Sequence, residues 1–580
     1  MTNTISITGY GIICSIGNDA NAVFNSLKEK RSGIRKMRYL QTKHSDLPVG
    51  EVQLSNDEMK DILGIKDSKP MSRTTLMGAI AIQQALKQAN IKNFENKRVA
   101  LISGTTVGGM DLTENYFEQM KIDDTLLYLP QSNECGQSTN EMAEILGLKN
   151  IETCTISTAC SSALNSIILG SEMLIHDEVD IVIAGGSEAL SRFHLNGFNT
   201  LMILDKEHCR PFDDTRAGLN LGEGAAYVIL EKNAINSLAY ITGYGNSCDA
   251  FHQTASSEDG EGAYLAMKEA INMANLKVED IQYVNAHGTG TPNNDLSESI
   301  ALKRIFSDKM PEISSTKSFT GHTTSASGSI ETVICLLAMQ NNFTPANLKW
   351  KNKIPEGIIP TLGTNDIELN NVICNSFGFG GNNSSLIISK NKPENGFISE
   401  QNYTFKIIAE EIVESAENLK DLKEFISPLE SRRMGKLMKA AHLTSCRALK
   451  ASNINCPDAI ITATSRGMLD VSMKFLEDIT TNEEELLKPT LFMQSTHNTL
   501  GSAIAIRSKC YGYNITYSQG DDSLMWAMRD AERLIKTGKV KNVLVNLFDE
   551  CTPIIASFAE RTGSDIPKEL CAKSFILVRN

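Results

Sequence analysis

Short apolar runs closed by glycine or serine recur along the chain, and most are followed by a stretch with helical spacing. VALISGTT (99–106), ETCTIST (152–158), DIVIAGGSEA (180–189), AAYVILE (225–231), YVNAHGTG (283–290) and SSLIISK (384–390) read as buried strands. Apolar positions at helical spacing predict helices over 73–89, 137–146, 161–177, 264–274, 296–306 and 326–340. Strands apolar on both faces, alternating with helices, specify an α/β architecture with largely parallel sheets. The polar segment KNKPENGFISEQ (390–401) carries Pro and Gly and reads as a linker, with a domain boundary near 395–402.

Beyond the linker the pattern restarts. DAIITATSRG (458–467) resembles RVALISGTTVG (98–108). Helix 523–537 followed by VKNVLVNLFDE (540–550) resembles 161–177 followed by VDIVIAGGSEA (179–189). This is an internal repeat of part of the first unit.

Composition narrows the class. A chain of 580 residues is too long for one simple domain and large enough for an enzyme's core. Its net charge of −13 argues against nucleic-acid binding, which favours a basic stripe. The 13 cysteines include no C-x-x-C pair, so they form neither a disulfide framework nor a zinc site, and a reducing cytoplasm fits them. The start, MTNTISITGYGIICSIG, reads as a first strand and not a signal peptide, and no apolar run is long enough to span a membrane.

In TISTACSSALNSIILGSEML (155–174) a strand ends at Ala159-Cys160 and a helix opens at Ser161-Ser162. A thiol there meets free N–H groups and the helix macrodipole, which stabilise thiolate. Taken alone, a buried structural cysteine is the commoner case. Two histidine motifs change the balance. NAHGTGTPNNDLSE (285–298) sets His287 just past a strand, and STKSFTGHTTSASGSIE (315–331) sets His322 in a second Gly-flanked loop before a helix. Loops at the ends of parallel strands are where α/β folds assemble sites. NSFGFGGNN (375–383) adds a Gly-rich turn around Phe379 able to present a backbone N–H. No G-x-x-x-x-G-K-[ST] loop is present, which argues against an NTPase.

With these motifs, residues 1–390 resemble the β-ketoacyl-acyl-carrier-protein synthases of the thiolase superfamily. The likeness also takes in ITGYGIICSIG and RPFDDTRAGLNLGEGAA (210–226), and the Cys-His-His pattern sets this group apart from Cys-His-Asn condensing enzymes. The resemblance implies a thiolase-like α/β fold of duplicated halves, layered αβαβα, over 1–395, with halves of about 1–235 and 236–395. It implies decarboxylative condensation of an acyl thioester with a malonyl–carrier-protein thioester. Cys160 would take the acyl chain, with the N–H groups of Cys160 and Phe379 holding the oxyanion. His287 and His322, as neutral imidazoles donating from Nε2, would polarise the malonyl thioester. Lys317 would orient the pair, with Glu331 as its partner. Thr289 and Thr291 would bind the pantetheine arm, Phe379 would gate the acyl pocket and Val107 would line it. No metal or cofactor is implied; the carrier's phosphopantetheine arm arrives as substrate. An acyl carrier protein is the implied partner, docking near Arg432 and Arg433 if these are more than solvated charges. Family habit suggests a homodimer, or a heterodimer with another synthase-like subunit, through an edge strand. Asn382 stands where a Thr that packs near the pantetheine is usual, which leaves substrate preference open.

Residues 403–580 resemble only the N-terminal half of such a synthase, of the type found with aryl-polyene and flexirubin pigments. Aligning the repeat puts Asp521 opposite Cys160, and no HGTGT or TGH loop follows. A carboxylate cannot form a stable thioester, and His497 lacks a partner histidine, so it is expected to be structural. A catalytically inactive partial thiolase-like domain results, in the manner of a chain-length factor. Two other readings fit the sequence less well. A thiolase would need a second Cys in a C-x-G motif, and Cys374 before NSFGFGG is the wrong context. A non-catalytic or chain-length-determining carrier-docking partner would have no need to keep Cys160, His287, Lys317 and His322 together.

Overall fold

β-Branched and small residues build fifteen strands among the described residues, in three sets of five. The computed structural model describes residues 3–127, 129, 133–394, 396–397 and 402–580. Of the boundary expected at 395–402, only 396, 397 and 402 lie within them. The first set is β1 (Ile5–Cys14), β2 (Val99–Gly104), β3 (Glu152–Ile156), β4 (Ile181–Glu188) and β5 (Gly224–Lys232). The second is β6 (Ala239–Cys248), β7 (Tyr283–Asn285), β8 (Glu312–Ser314), β9 (Asn371–Gly378) and β10 (Asn382–Ser389). The third is β11 (Phe405–Val413), β12 (Ala459–Ala463), β13 (Tyr513–Tyr517), β14 (Asn542–Glu550) and β15 (Leu570–Arg579).

Each set repeats one order, with its third, second, fourth, fifth and first strands side by side. The sheets are mixed and not largely parallel. β2 runs parallel to β3 and β4, whereas β5 runs antiparallel to β4 and β1. In the second set the cause is plain: the turn Phe379–Gly381 joins β9 to β10 and is too short for a parallel crossover.

Two of the sets form a layered body. Helix Ser162–Ile175, buried along its whole length, packs with the buried helix Ser327–Gln340 between the sheets. Helix Arg73–Gln88 covers β1 and β5 outside, and helix Glu261–Met273 covers β6 and β10. The result is the αβαβα layering. β1 meets β6 antiparallel at Ile5–Ile241, joining the sheets at one end.

The third set attaches to the first through equivalent strands. β3 and β13 run antiparallel at Ile156–Tyr517, with Ser157 N–H on Thr516 O (2.9 Å) and Ser518 N–H on Thr155 O (2.9 Å). Trp526 is buried and donates its indole N–H to Thr153 O (3.1 Å), while Arg533 meets Glu178 at 2.7 Å. An aromatic cluster closes the seam. Phe193 of the first unit packs edge-on to Phe475 at 5.1 Å, and Phe198 to Phe492 at 5.3 Å. A side chain at Gly197 would collide with the Phe492 ring, so glycine there permits the approach. Such pairs add roughly 0.5–1.5 kcal/mol each beyond burial. Among the described residues no helix is long and apolar enough to cross a membrane.

Candidate active site

The turn after β3 is set by hydroxyls. Ser162 Oγ accepts from Thr158 N–H (2.9 Å) and donates to Ala159 O (2.6 Å), with Ala159 at φ +50°. This bends the chain sharply into the helix and leaves Cys160 at its mouth. The turn after β7 carries His287. Glu298, on helix Pro292–Phe306, accepts from the N–H groups of His287 (2.8 Å) and Gly288 (2.7 Å) and fixes that loop. His322 follows the short helix Lys317–Thr320, and its N–H bonds Asn220 O at 2.7 Å.

These loops converge. His322 Nε2 lies 3.1 Å from Cys160 Sγ, and the imidazoles of His287 and His322 are 5.3 Å apart at 81°. Lys317 Nζ is 3.2 Å from His287 Nδ1 and 2.6 Å from Glu331 Oε1. An ammonium only donates, so Nδ1 of His287 must accept and its Nε2 carries the proton, aimed at the thiol side of the site. His322 Nδ1 faces Ser327 Oγ at 3.0 Å, a hydroxyl that serves either tautomer.

Electrostatics correct one expectation. The macrodipole and N–H groups were expected to favour thiolate at Cys160. Burial instead pushes the thiol up to about 12, against the pull of Lys317 and of the Phe379 and Cys160 N–H groups. Burial, reinforced by the Lys317 charge, holds both imidazoles well below their ordinary value, so both are neutral. Burial raises Glu331 to about 7, opposed by Lys317. The site therefore rests as a protonated thiol beside neutral imidazoles. Cys160, His287 and His322 form the one group of three metal-type donors among the described residues, with ligating atoms within 4.8 Å. Lys317 beside them opposes a bound cation.

The backbone N–H groups of Phe379 and Cys160 lie close enough to Sγ to pull its thiol down against burial. The Phe379 ring stacks on Phe198 at 5.7 Å and 27°. Thr289 and Thr291 bond each other at 2.9 Å at the mouth of helix Pro292–Phe306. Val107 packs into the same aromatic cluster as Phe379. A cavity of about 50 Å³ is lined from both units by Met110, Phe117, Met120, Met473, Leu476 and Phe558 among others. Arg432 and Arg433 are exposed.

Several holding residues escaped sequence reading. Glu188 takes Thr106 N–H (2.7 Å) and Ser325 Oγ (2.5 Å), tying the TTVGGM loop to the His322 loop. Only its place at the end of a buried strand marks it in the sequence. Asn382 was read through the pantetheine, but its side chain turns to the second unit, accepting from Asn498 (2.7 Å) and donating to Asn514 O (2.9 Å). His497 has a neighbour after all, lying 3.7 Å from Cys135 Sγ across the seam; burial lowers it to about 4, so the contact is neutral packing.

Comparison with known proteins gives the family. The family described as "Beta-ketoacyl synthase, N-terminal domain" matches residues 2–234, and "Beta-ketoacyl synthase, C-terminal domain" matches 238–351. The N-terminal description matches again at 409–570. A 3-oxoacyl-[acyl-carrier-protein] synthase 2 from Staphylococcus aureus (strain COL) is 31% identical over 409 residues, covering 67% of this chain and 98% of its own. Among solved structures, the ketosynthase ApeO in complex with its chain length factor ApeC from Xenorhabdus doucetiae is 29% identical, with TM-score 0.59 over 67% of this chain and 98% of its own. The PfaC keto synthase–chain length factor shares the fold over 100% of this chain and 78% of its own, with TM-score 0.78 at 18% identity.

The chain belongs to the β-ketoacyl synthases, with a thiolase-like fold. It is a condensing enzyme of the 3-oxoacyl-carrier-protein synthase type, an acyltransferase that joins an acyl thioester to a malonyl unit with loss of carbon dioxide.

Proposed function

We propose that Cys160 is the single nucleophile of the chain and that residues 403–580 act as its built-in chain-length factor. In acylation, Cys160 Sγ attacks the incoming thioester carbonyl and His322 Nε2, 3.1 Å away, takes the thiol proton. The oxyanion collects the N–H groups of Cys160 and Phe379, a good donor in such a site being worth about 3–4 kcal/mol. The proton leaves with the displaced pantetheine thiol. In condensation the malonyl thioester oxygen sits between His287 and His322, whose N–H groups hold the enolate formed as carbon dioxide departs. That carbon attacks the acyl carbonyl, the Cys160 sulfur leaves as thiolate, and a proton from solvent restores the thiol. Ser327 can accept from or donate to Nδ1, which lets His322 act as base in the first half and donor in the second. Lys317 holds the imidazole of His287 in the donating tautomer. Thr289 and Thr291 contact the carrier's phosphopantetheine arm, which arrives as substrate with no further cofactor.

The observation that carries the reading is the 3.1 Å approach of His322 to Cys160, with His287, held by Lys317, beside the pair. The second unit's role is supported by the cavity shared between the units and by Asp521 in the place of the nucleophile. An acyl carrier protein delivers both thioesters. The pairing of β13 with β3 supports reading the second unit as the counterpart of a partner subunit on that edge. The likeness of 403–580 to the aryl-polyene and flexirubin type favours a polyene or pigment pathway over bulk fatty acid synthesis. The thirteen free cysteines of the whole chain suit a reducing cytoplasm. The test is product analysis with a panel of acyl–carrier primers and malonyl–carrier. Leu476→Ala, which widens the shared cavity from the second unit, should lengthen the products; unchanged length with retained activity refutes the chain-length role.

A further inference from the structure

A chain of buried asparagines crosses the seam between the units and ends on both walls of the oxyanion site. Asn498, from the second unit, uses both amide hydrogens: Nδ2 donates to Phe379 O (2.8 Å) and to Asn382 Oδ1 (2.7 Å). A carbonyl oxygen only accepts, so the amide orientation is fixed. Asn382 Nδ2 donates to Asn514 O (2.9 Å), and Asn514 N–H donates to Asn246 Oδ1 (3.0 Å). Asn246 Nδ2 donates to Asn165 Oδ1 (2.9 Å), and Asn165 Nδ2 donates to Thr158 Oγ1 (2.9 Å), at the turn that carries Cys160. All five asparagines are buried.

The end at Phe379 matters most. The Phe379–Gly380 peptide is clamped on both sides, its carbonyl by Asn498 and its N–H by Gln253 O (2.7 Å). Gly380 stands at φ +84°, and a Cβ there would lie 2.2 Å from Ser502 Oγ of the second unit. The neighbouring peptide carries the Phe379 N–H, one of the groups that pull on the Cys160 thiol. A Cβ on Gly378 would lie 3.0 Å from Cys160 N, so the two donor-bearing strands of chain lie flat against each other. The relay is also left half-satisfied, with Asn498 Oδ1 and Asn514 Oδ1 buried and unpartnered. A packed apolar contact would stabilise the seam without that cost, so these amides are kept for what they hold.

We infer that Asn498 is a positioning residue for the oxyanion site of the other unit: the second unit, besides walling the cavity, sets the Phe379 N–H that acyl transfer to Cys160 requires. The inference rests on the roles proposed above for Phe379 and the two histidines. It separates two steps of one reaction. Acyl transfer uses the Phe379 N–H together with His322, whereas loss of carbon dioxide from the malonyl unit uses His287 and His322 without the Phe379 N–H.

The experiment uses the full chain with Asn498→Ala. Transfer from the straight-chain acyl–carrier thioester that wild type accepts fastest is followed by intact mass under single turnover, and carbon dioxide release from malonyl–carrier is followed without primer. Acyl transfer at saturation should fall about 10-fold, less than the roughly 10²–10³ of deleting an oxyanion donor outright. Half-saturation by the acyl–carrier should not change, and carbon dioxide release should stay within about twofold of wild type. No loss in acyl transfer, or equal loss in both steps, overturns the inference. If the alanine variant does not fold, Asn498→Ser keeps a shorter donor and must show the same selective loss in smaller degree. His287→Ala is the control: if it leaves carbon dioxide release intact, the assignment of the imidazoles fails, and not the positioning role.

Discussion

The turn at 159–162 and the turn at 520–523 share one backbone and differ in everything that makes chemistry. Ala159 and Gly520 stand at φ +50° and +56°. Ser523 Oγ accepts from Gln519 N–H (2.8 Å) and donates to Gly520 O (2.6 Å), as Ser162 does for Thr158 and Ala159 (2.9 and 2.6 Å). Each turn opens a helix of 14 residues. Yet Cys160 is buried beside His322, and Asp521 is exposed. The elbow is thus a property of the strand–turn–helix unit, retained after its chemistry is gone. Reactivity comes from the second set of strands, which brings His287, Lys317 and His322 to the first copy only.

Breaking the comparison at the nucleophile gives the largest effect. Cys160→Ala should abolish acylation and condensation, whereas Asp521→Ala should leave both within about twofold, measured by intact mass and product yield. Asp521→Cys should create no second acylation site, because no imidazole reaches that turn. Next comes His287→Ala, which should cut condensation by about 10²-fold or more while Cys160 still acylates, since a positioned proton donor is worth about 10²–10⁴. The seam can be loosened at Phe492→Ala, where loss of a buried aromatic should lower unfolding free energy by about 3–5 kcal/mol and expose the β3 edge to aggregation. Its check is thermal unfolding with light scattering.

The smallest effect is acid sensitivity of the second unit. Burial lowers His442 and His497 to about 4. An unfolded histidine takes its proton near 6.5, so below that the unfolded chain binds more protons than the folded one. This stabilising contribution is whole above about 6.5 and is lost as pH falls toward 4, up to about 3 kcal/mol per histidine. Unfolding midpoints between pH 7 and 4 should fall less steeply in His497→Leu than in wild type.

The strands, the repeat and the Cys-His-His set were legible because each leaves a local mark: an apolar run, a Gly-rich turn, a thiol before a helix. The antiparallel returns of β5 and β10 left none, since an apolar strand reads alike in either direction. The union of β3 with β13 was equally silent, because TCTI and NITY do not say which neighbour covers their edges. Asn382 was read from one side of a seam the sequence does not display. The state of Cys160 was misjudged for a similar reason: the helix mouth is local and visible, while burial comes from distant segments and outweighs it.

One chain with two synthase-like elbows has one reactive cysteine. Intact mass of the full chain after incubation with an acyl–carrier thioester tests it most directly. The account predicts a single acyl adduct per chain, absent from Cys160→Ala and retained in Asp521→Ala. An adduct that survives Cys160→Ala, or two adducts on the unaltered chain, would contradict it.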